Sequence, residues 1–357
     1  MEAKQPTYFI VGAGVAGLSC ARLLKKKKPK SKVIVFDACD NVGGRCYSFD
    51  DKDFGQKLDN ATLVIIGANK EAASFIADDE WEKSLYFFDI QNKKVIPNNK
   101  KMWPYLMKAA CNMPLNTADG KICKEIAKAT FPWTTNKLKI YFSKQNLSQK
   151  MINYLLSFAD EIYLKHRLLK IETQFGNAAQ LVFDKQTFDI GAQDKIILAL
   201  DNRGFCRLMG TEALPHNSII NIFYKTSQKI HLPQNANFCG VLNGNCDWIF
   251  VNDNIVAITI SAANHVVKPL PELARQLWKE LDIIRGVNSA FLPPFRVVKH
   301  NHATIAQDEA TNQLRPCSAL TQYPNVFIAG DWTMKNMPCC IETAILSAKR
   351  AIKYVLR

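Results

Sequence analysis

The chain has 357 residues, 48% of them hydrophobic and 22% charged, which is enough for two domains with a substantial core. No window approaches the roughly 18 uninterrupted apolar residues that a membrane-crossing helix needs, and eleven scattered cysteines, never spaced as CxxC, exclude a disulfide framework and a zinc ribbon. They read as the reduced thiols of a cytoplasmic protein. The formal charge of +14 is unevenly spread: from Lys93 to Lys150 there are twelve lysines against two acids, Asp119 and Glu125.

In chain order, Tyr8-Phe9-Ile10-Val11 predicts a strand, Leu18 to Leu24 a helix and Val33 to Phe36 a second strand. Between the first strand and the helix lies Gly12-Ala13-Gly14-Val15-Ala16-Gly17, and Asp37 closes the second strand. This is the opening of a dinucleotide-binding βαβ unit. The first glycine permits the turn, the second lets backbone approach a pyrophosphate, and the third lets helix and strand pack closely. The helix N-terminus then faces the phosphates, and the acid accepts a hydrogen bond from the adenosine ribose. Three glycines at this spacing, with the helix continuing past Cys20, argue against a signal peptide. Lys25 to Lys28 suit the dipole at the helix end.

Lys70 to Glu82 and Met102 to Lys150 predict helices, broken by Pro104, Pro114 and Pro132. Trp103, Tyr105, Phe131, Trp133, Tyr141 and Phe142 interleave with the lysines of this segment, a mixture that suits an anionic membrane surface, an ordinary solvated face being the alternative and nucleic acid disfavoured. Strands follow at Glu161 to Leu164, Leu168 to Glu172, Gln180 to Phe183 and Lys195 to Leu200. Strands dominate from Ile219 to Ser261, then Leu270 to Ile284 forms an amphipathic helix with Trp278 on its apolar side. Phe295 to His300 is a strand, Asn325 to Asp331 a buried strand ending in Gly330-Asp331, and Cys340 to Leu356 the closing helix. The order predicts an α/β chain whose nucleotide domain is interrupted twice, with its first and last pieces meeting at the carboxyl ends of parallel strands.

Asn41-Val42-Gly43-Gly44-Arg45 and Ala329-Gly330-Asp331-Trp332, together with the opening glycines, resemble the flavoprotein superfamily of amine oxidases and phytoene desaturases. Within it the chain is most similar to the squalene-associated branch, the hydroxysqualene dehydroxylases. Four stretches carry this: Leu58-Asp59-Asn60 through Ala68; Asp247-Trp248-Ile249-Phe250 with the strand to Ser261; Val297 through Ala306; and Gly330-Asp331-Trp332-Thr333 through Ala344.

The resemblance implies FAD, a discontinuous Rossmann-like FAD-binding domain (1–75, 160–215, 296–357) and an α+β substrate domain (76–159, 216–295). It places Gly12, Ala13, Gly14, Val15, Ala16, Gly17, Gly43, Gly44 and Arg45 at the pyrophosphate and Asp37 at the ribose. Leu168 falls at the adenine, Gly330 and Asp331 at the ribityl chain, and Ile341 and Glu342 at the pyrimidine edge of the flavin. It further implies reductive dehydroxylation of a long isoprenoid, hydroxysqualene to squalene, with peripheral contact of 93–150 on the inner face of a membrane. The alternatives are a carotenoid desaturase, an amine oxidase, or a non-catalytic flavin-fold partner in a lipid-biosynthetic complex.

The chain departs from the branch at Ala61-Thr62-Leu63, where a histidine is lost, and at Asn336 to Cys340. No residue stands out as a general acid; Asp59, Asn60 and Tyr47 are candidates by position. His300 and His302 share a strand face with no third ligand nearby, which favours packing over a metal pair, and Cys339-Cys340 reads as small apolar packing at a helix start.

Overall fold

The computed structural model describes residues 5–60, 64–75, 81–82, 85–131, 139–141 and 147–357. The chain forms two compact units, one of residues 1–47, 148–215 and 310–357, the other of 48–147 and 216–309.

The first unit is built on a five-stranded parallel sheet in the order Glu161–Tyr163, Lys32–Phe36, Thr7–Val11, Lys195–Leu198, Val326–Ile328. We label its opening β1 (Thr7–Val11), α1 (Val15–Lys27) and β2 (Lys32–Phe36). β1 is central, with β2 on one side and Lys195–Leu198 on the other, so the chain reverses direction across the sheet at the end of β1. That is where open α/β sheets hold ligands. One face, carrying Phe9, Val11, Ile34 and Phe36, is sealed by an antiparallel sheet through Ala178, Leu181 and Phe183. Phe36 stacks on Phe183 at 4.4 Å and on Tyr163 at 5.2 Å. α1 packs on the closing helix Ile341–Val355.

The second unit is a seven-stranded sheet in the order Phe295–Ile305, His216–Lys225, Ile255–Ile260, Trp248–Asn252, Phe238–Leu242, Tyr86–Asp89, Lys94–Pro97. All its pairs are antiparallel except 238–242 with 86–89. Side chains alternate between faces, as the pleat requires. Ile222, Tyr224, Val251 and Ile258 bury against Leu273, Leu277, Trp278 and Leu281 of helix Leu270–Arg285. The other face meets hairpin 48–59 through Phe54 and Leu58, and the Trp103–Cys111 helix region through Met102, Tyr105 and Leu106.

The boundaries differ from the sequence expectation in three places. Residues 48–75 and 296–309 belong to the second unit, because strand 295–305 pairs along 216–225 and carries the hairpin by way of Arg296, whose Nε lies 2.7 Å from Asp51. Residues 148–159 belong to the first, where Ile152 packs under Gly43 and Arg22 lies over the Tyr154 ring.

Of the helix expected over 70–82, the described residues show one turn, Lys70–Ala73, and Trp81–Glu82 as a strand pairing with Ile140–Tyr141; residues 76–80 lie outside the described residues. That pairing also interrupts the helical pattern expected over 102–150, whose described residues hold helices 103–111, 120–130 and 147–156. Pro104 lies in the first turn of its helix, where its missing N–H costs nothing, rather than breaking it. Trp133, Phe142 and Ala61-Thr62-Leu63 lie outside the described residues. No helix among the described residues is long and apolar enough to cross a membrane. All eleven cysteines are free thiols.

Candidate FAD site

Two glycine turns meet at the end of β1. Gly12 has φ +112° and donates its N–H to Phe36 O at 2.7 Å; a Cβ there would sit 2.3 Å from Ala199 O. On Gly17 a Cβ would sit 1.9 Å from Gly12 O, so α1 can press onto the turn only as glycine. The second turn docks on the first, Gly43 N–H donating to Ala13 O at 2.8 Å. Gly43 (φ +107°) and Gly44 (φ +60°) are both left-handed, and a Cβ on Gly44 would stand 3.3 Å from Gly14 Cα.

Gly14 is the N-cap of α1. It has no capping side chain, and the first turn of the helix bears no acid. The N–H groups of Val15, Ala16 and Gly17, without a partner among the described residues, keep their partial positive charge, the condition for holding an anion. A pyrophosphate fits this cradle: glycines remove every side chain from its floor and the helix supplies donors.

Asp37 follows β2, and its carboxylate accepts from Ala13 N at 2.7 Å and from Cys39 N at 2.9 Å. It thus clamps the glycine turn to the end of β2. Leu168 starts the strand that caps the aromatic cluster around Phe36, opposite Phe183.

The far end of the cradle comes from the last strand. Ala199 N donates to Val11 O and Ala329 N to Leu198 O, so the carboxyl ends of 7–11, 195–198 and 326–328 line up. Beyond them Gly330 (φ +144°) turns the chain, its N–H donating to Ser347 Oγ at 2.8 Å. Asp331, 4% exposed, then meets Arg45 at 2.7 Å. The Asp331 charge raises the Arg45 pKa, keeping the guanidinium ionised. The sequence assigned these two residues separately; the structure makes them one ion pair joining the second turn to the last strand.

Arg315 has no precedent in the sequence reading. It is 2% exposed and donates to three backbone carbonyls: Asp331 O at 2.8 Å, Trp332 O at 3.0 Å and Met337 O at 2.8 Å. It thereby fixes the path of 331–337. Trp332 Nε1 donates to Leu200 O, and Asn312 joins Asn336 through both amide atoms. Ile341 and Glu342 open the closing helix with no side-chain cap at Cys340. Burial pushes the Cys339 thiol up to about 12 and raises Cys340, so both stay protonated.

Tyr47 belongs to the first unit, Asp59 and Asn60 to the second. Asp59 accepts from Ser48 Oγ at 2.6 Å, and the Asn60 carbonyl contacts His300 Nε2 at 2.9 Å. His302 instead packs edge-on against His216, so the two histidines diverge. No group of three metal-ligating side chains occurs among the described residues.

Residues 10–78 match the model of an NAD(P)-binding Rossmann-like domain and residues 156–356 that of flavin-containing amine oxidoreductases. Three hydroxysqualene dehydroxylases are similar from end to end. That of Zymomonas mobilis is 26% identical over 97% of this chain and 98% of its own length; that of Rhodopseudomonas palustris is 24% identical over 98% of each. That of Sinorhizobium fredii is 22% identical over 97% of each. Among solved structures, an oxidoreductase from Methanosarcina mazei superposes with a TM-score of 0.74 at 13% identity, covering 97% of this chain and 100% of its own. A putrescine oxidase superposes at 0.69 and 12%, covering 99% of each. The chain belongs to the flavin-containing amine oxidoreductase family, and its cofactor is FAD.

Proposed function

We propose that this oxidoreductase removes the hydroxyl group of a long isoprenoid alcohol, converting hydroxysqualene to squalene. The observation that carries the reading is the end-to-end similarity to three hydroxysqualene dehydroxylases. In the reaction a C–O bond breaks, the oxygen leaves with an added proton as water, and the carbon takes a hydride. The two electrons come from reduced FAD, which supplies hydride chemistry when bound.

The chain's own part is binding and exclusion of water. The glycines at 12, 14, 43 and 44 and the N-terminus of α1 would hold the pyrophosphate, Asp37 the ribose, and the Arg45–Asp331 pair the stretch beyond it. Ile341 and Glu342 would meet the flavin's pyrimidine edge, where a helix N-terminus favours negative charge. Phe87, Phe238, Trp248 and Phe250 give the second unit an apolar face suited to hydrocarbon. Anaerobic incubation of the reduced, FAD-loaded protein with hydroxysqualene should yield squalene, and a loaded enzyme that leaves it unchanged refutes the reading.

We also propose that the helix Gly120–Thr130 rests on an anionic bilayer. Lys121, Lys124 and Lys128 follow the i, i+3, i+7 spacing of one helix face, opposite the buried Ile122 and Ile126. Phe131, 68% exposed, follows at the C-cap, and it lines a surface groove with Trp103, Lys124, Ala127 and Lys128. A basic side chain near an anionic surface contributes about 1 kcal/mol. The protein should therefore co-sediment with phosphatidylserine vesicles and not with phosphatidylcholine vesicles, and the triple Lys→Glu variant should stay in solution. Equal sedimentation of variant and parent would refute the contact.

A further inference from the structure

The Asp247-Trp248-Ile249-Phe250 stretch and the strand after it meet His216–Lys225 in one row across the sheet of the second unit. Gly240 pairs with Trp248, Trp248 with Thr259, Thr259 with Asn221, and Asn221 with Val298. Residues directly opposed across strands share a face, so these five lie on the face turned away from helix Leu270–Arg285. The next row along it is Phe238, Phe250, Ala257 and Phe223, ending in Arg296, which is paired with Asp51 and Asp53.

Two polar atoms break this pattern. Asn221 is 1% exposed and Trp248 9% exposed, yet neither Asn221 Nδ2 nor Trp248 Nε1 has a hydrogen-bond partner among the described residues. The Asn221 amide is not free to turn, because Thr259 Oγ1 donates to its Oδ1 at 2.8 Å, which commits Nδ2 to point elsewhere. The indole is equally fixed. It stacks on Phe238 at 5.2 Å and tilts against Phe87 at 5.5 Å over Gly240, where an added Cβ would stand 2.9 Å from Trp248 Cζ3. Lys108, bonded to Asp247 at 2.7 Å, ties helix Trp103–Cys111 to the end of the row.

A buried donor without an acceptor costs stability, and apolar replacements of both partners cost nothing comparable. The row therefore presents fixed N–H donors among largely apolar neighbours, the charges nearby being closed in the Lys108–Asp247 and Arg296–Asp51 pairs. Its complement is a ligand that is mostly hydrocarbon and carries an uncharged acceptor oxygen.

We propose that this row binds the oxygen-bearing part of the lipid substrate, with Asn221 Nδ2 donating to its hydroxyl oxygen and Trp248 Nε1 offering a second donor beyond Thr259. Asn221 is thus the residue that distinguishes the hydroxylated lipid from its deoxygenated product. The assignment rests on the dehydroxylase reading for the identity of the lipid, although the row's preference for an alcohol over a hydrocarbon does not. Sites built to hydrogen-bond a hydroxyl reject the analogue that lacks it far more strongly than apolar pockets reject an extra one.

The test measures retention of tritiated lipids by the FAD-loaded protein after gel filtration from detergent. The parent protein should hold hydroxysqualene at least tenfold more tightly than squalene. Asn221→Leu should reduce that preference below twofold by weakening hydroxysqualene alone, while squalene is retained as before. The double variant Asn221→Leu/Thr259→Val, which also removes the hydroxyl that bonds the Asn221 amide, guards against misfolding and should behave alike.

A parent that converts hydroxysqualene while Asn221→Leu keeps its preference overturns the assignment and leaves the dehydroxylase reading standing. A parent that neither binds nor converts hydroxysqualene refutes that reading instead. The row is then tested with farnesol against farnesene: an Asn221-dependent preference for the alcohol sustains the assignment for another oxygenated lipid, and no preference overturns it.

Discussion

Gly14 and Gly17 should respond oppositely to the same methyl group. On Gly17 the added Cβ falls 1.9 Å from Gly12 O and 3.1 Å from Ala199 Cβ, and the first of these is backbone that cannot swing aside. The turn or the helix must move, at a cost of about 3 kcal/mol or more, a fall in Tm of roughly 6–12 °C for a unit of this size. On Gly14 the nearest neighbour of the new Cβ is Gly43 O at 3.9 Å, ordinary contact distance, and φ is −77°. Alanine at an N-cap costs up to about 1 kcal/mol, offset by the smaller entropy of the unfolded chain, about 0.4–1 kcal/mol. Nothing in the protein alone requires glycine there. The requirement is a pyrophosphate lying on that backbone, and a methyl group would lift it from the N–H groups of α1. Losing two charge-assisted hydrogen bonds at about 1.5–3 kcal/mol each weakens binding by more than about 100-fold. Gly14→Ala should therefore purify with the thermal stability of the parent apoprotein but without yellow colour, its FAD affinity read by flavin fluorescence titration. An apoprotein destabilised by Gly14→Ala that still binds FAD like the parent would refute this account of the cradle.

Three further outcomes follow from buried groups. Arg315→Met leaves three carbonyls of the 331–337 segment without their donor, so apoprotein stability should fall by about 3 kcal/mol or more and FAD affinity with it; calorimetry showing no loss would contradict the role given to Arg315. The Arg296 guanidinium, with the N–H groups of Phe54 and Asp53, holds the Asp51 carboxyl below its ordinary range. The stability this contributes is complete above the unfolded pKa near 4 and is lost as pH falls through the lower folded value. With Arg296 side chain 42% exposed, Arg296→Met should cost about 1–2 kcal/mol at pH 7 and flatten that acid slope in urea titrations between pH 2 and 6. Of the free thiols, Cys39 and Cys317 are exposed whereas Cys339 is buried and protonated, so iodoacetamide on the native protein should label the first two and spare Cys339, as mass spectrometry of the digests can check.

The parallel sheet was legible because its strands are buried on both faces and read as unbroken apolar runs: 8–11, 33–36 and 195–198 all pair as expected. The cradle was legible because glycine at fixed spacing has few other uses. What stayed hidden was long-range. Strand Trp81–Glu82 owes its conformation to a partner near residue 140, which no local periodicity reveals. Arg315 looked like any surface arginine, since its three partners are carbonyls supplied by a turn some twenty residues on. Helix Asn202–Met209 did leave a signal, Asp201 accepting Gly204 N at its start and left-handed Gly210 closing it, a cap pair that a search for apolar period passes over.

Gly14 and Asn221 share a property that most of the chain lacks. Gly12, Gly17 and Gly43 are explained by carbonyls their side chains would strike, and Thr259 by the acceptor it finds in Asn221. At Gly14 there is room for a methyl that the sequence does not use, and at Asn221 there is a donor that the fold does not satisfy. Folding alone requires neither: alanine at the first leaves stability unchanged, and the second carries a buried donor that costs stability while it is unmet. A residue that lowers the stability of its own fold is kept by something outside the fold. At Gly14 that agent must be anionic, since the helix N-terminus above it presents only donors; at Asn221 it must carry an acceptor oxygen, since the amide's free atom is a donor and Thr259 already holds its oxygen. An FAD pyrophosphate and a hydroxylated isoprenoid meet those two demands separately.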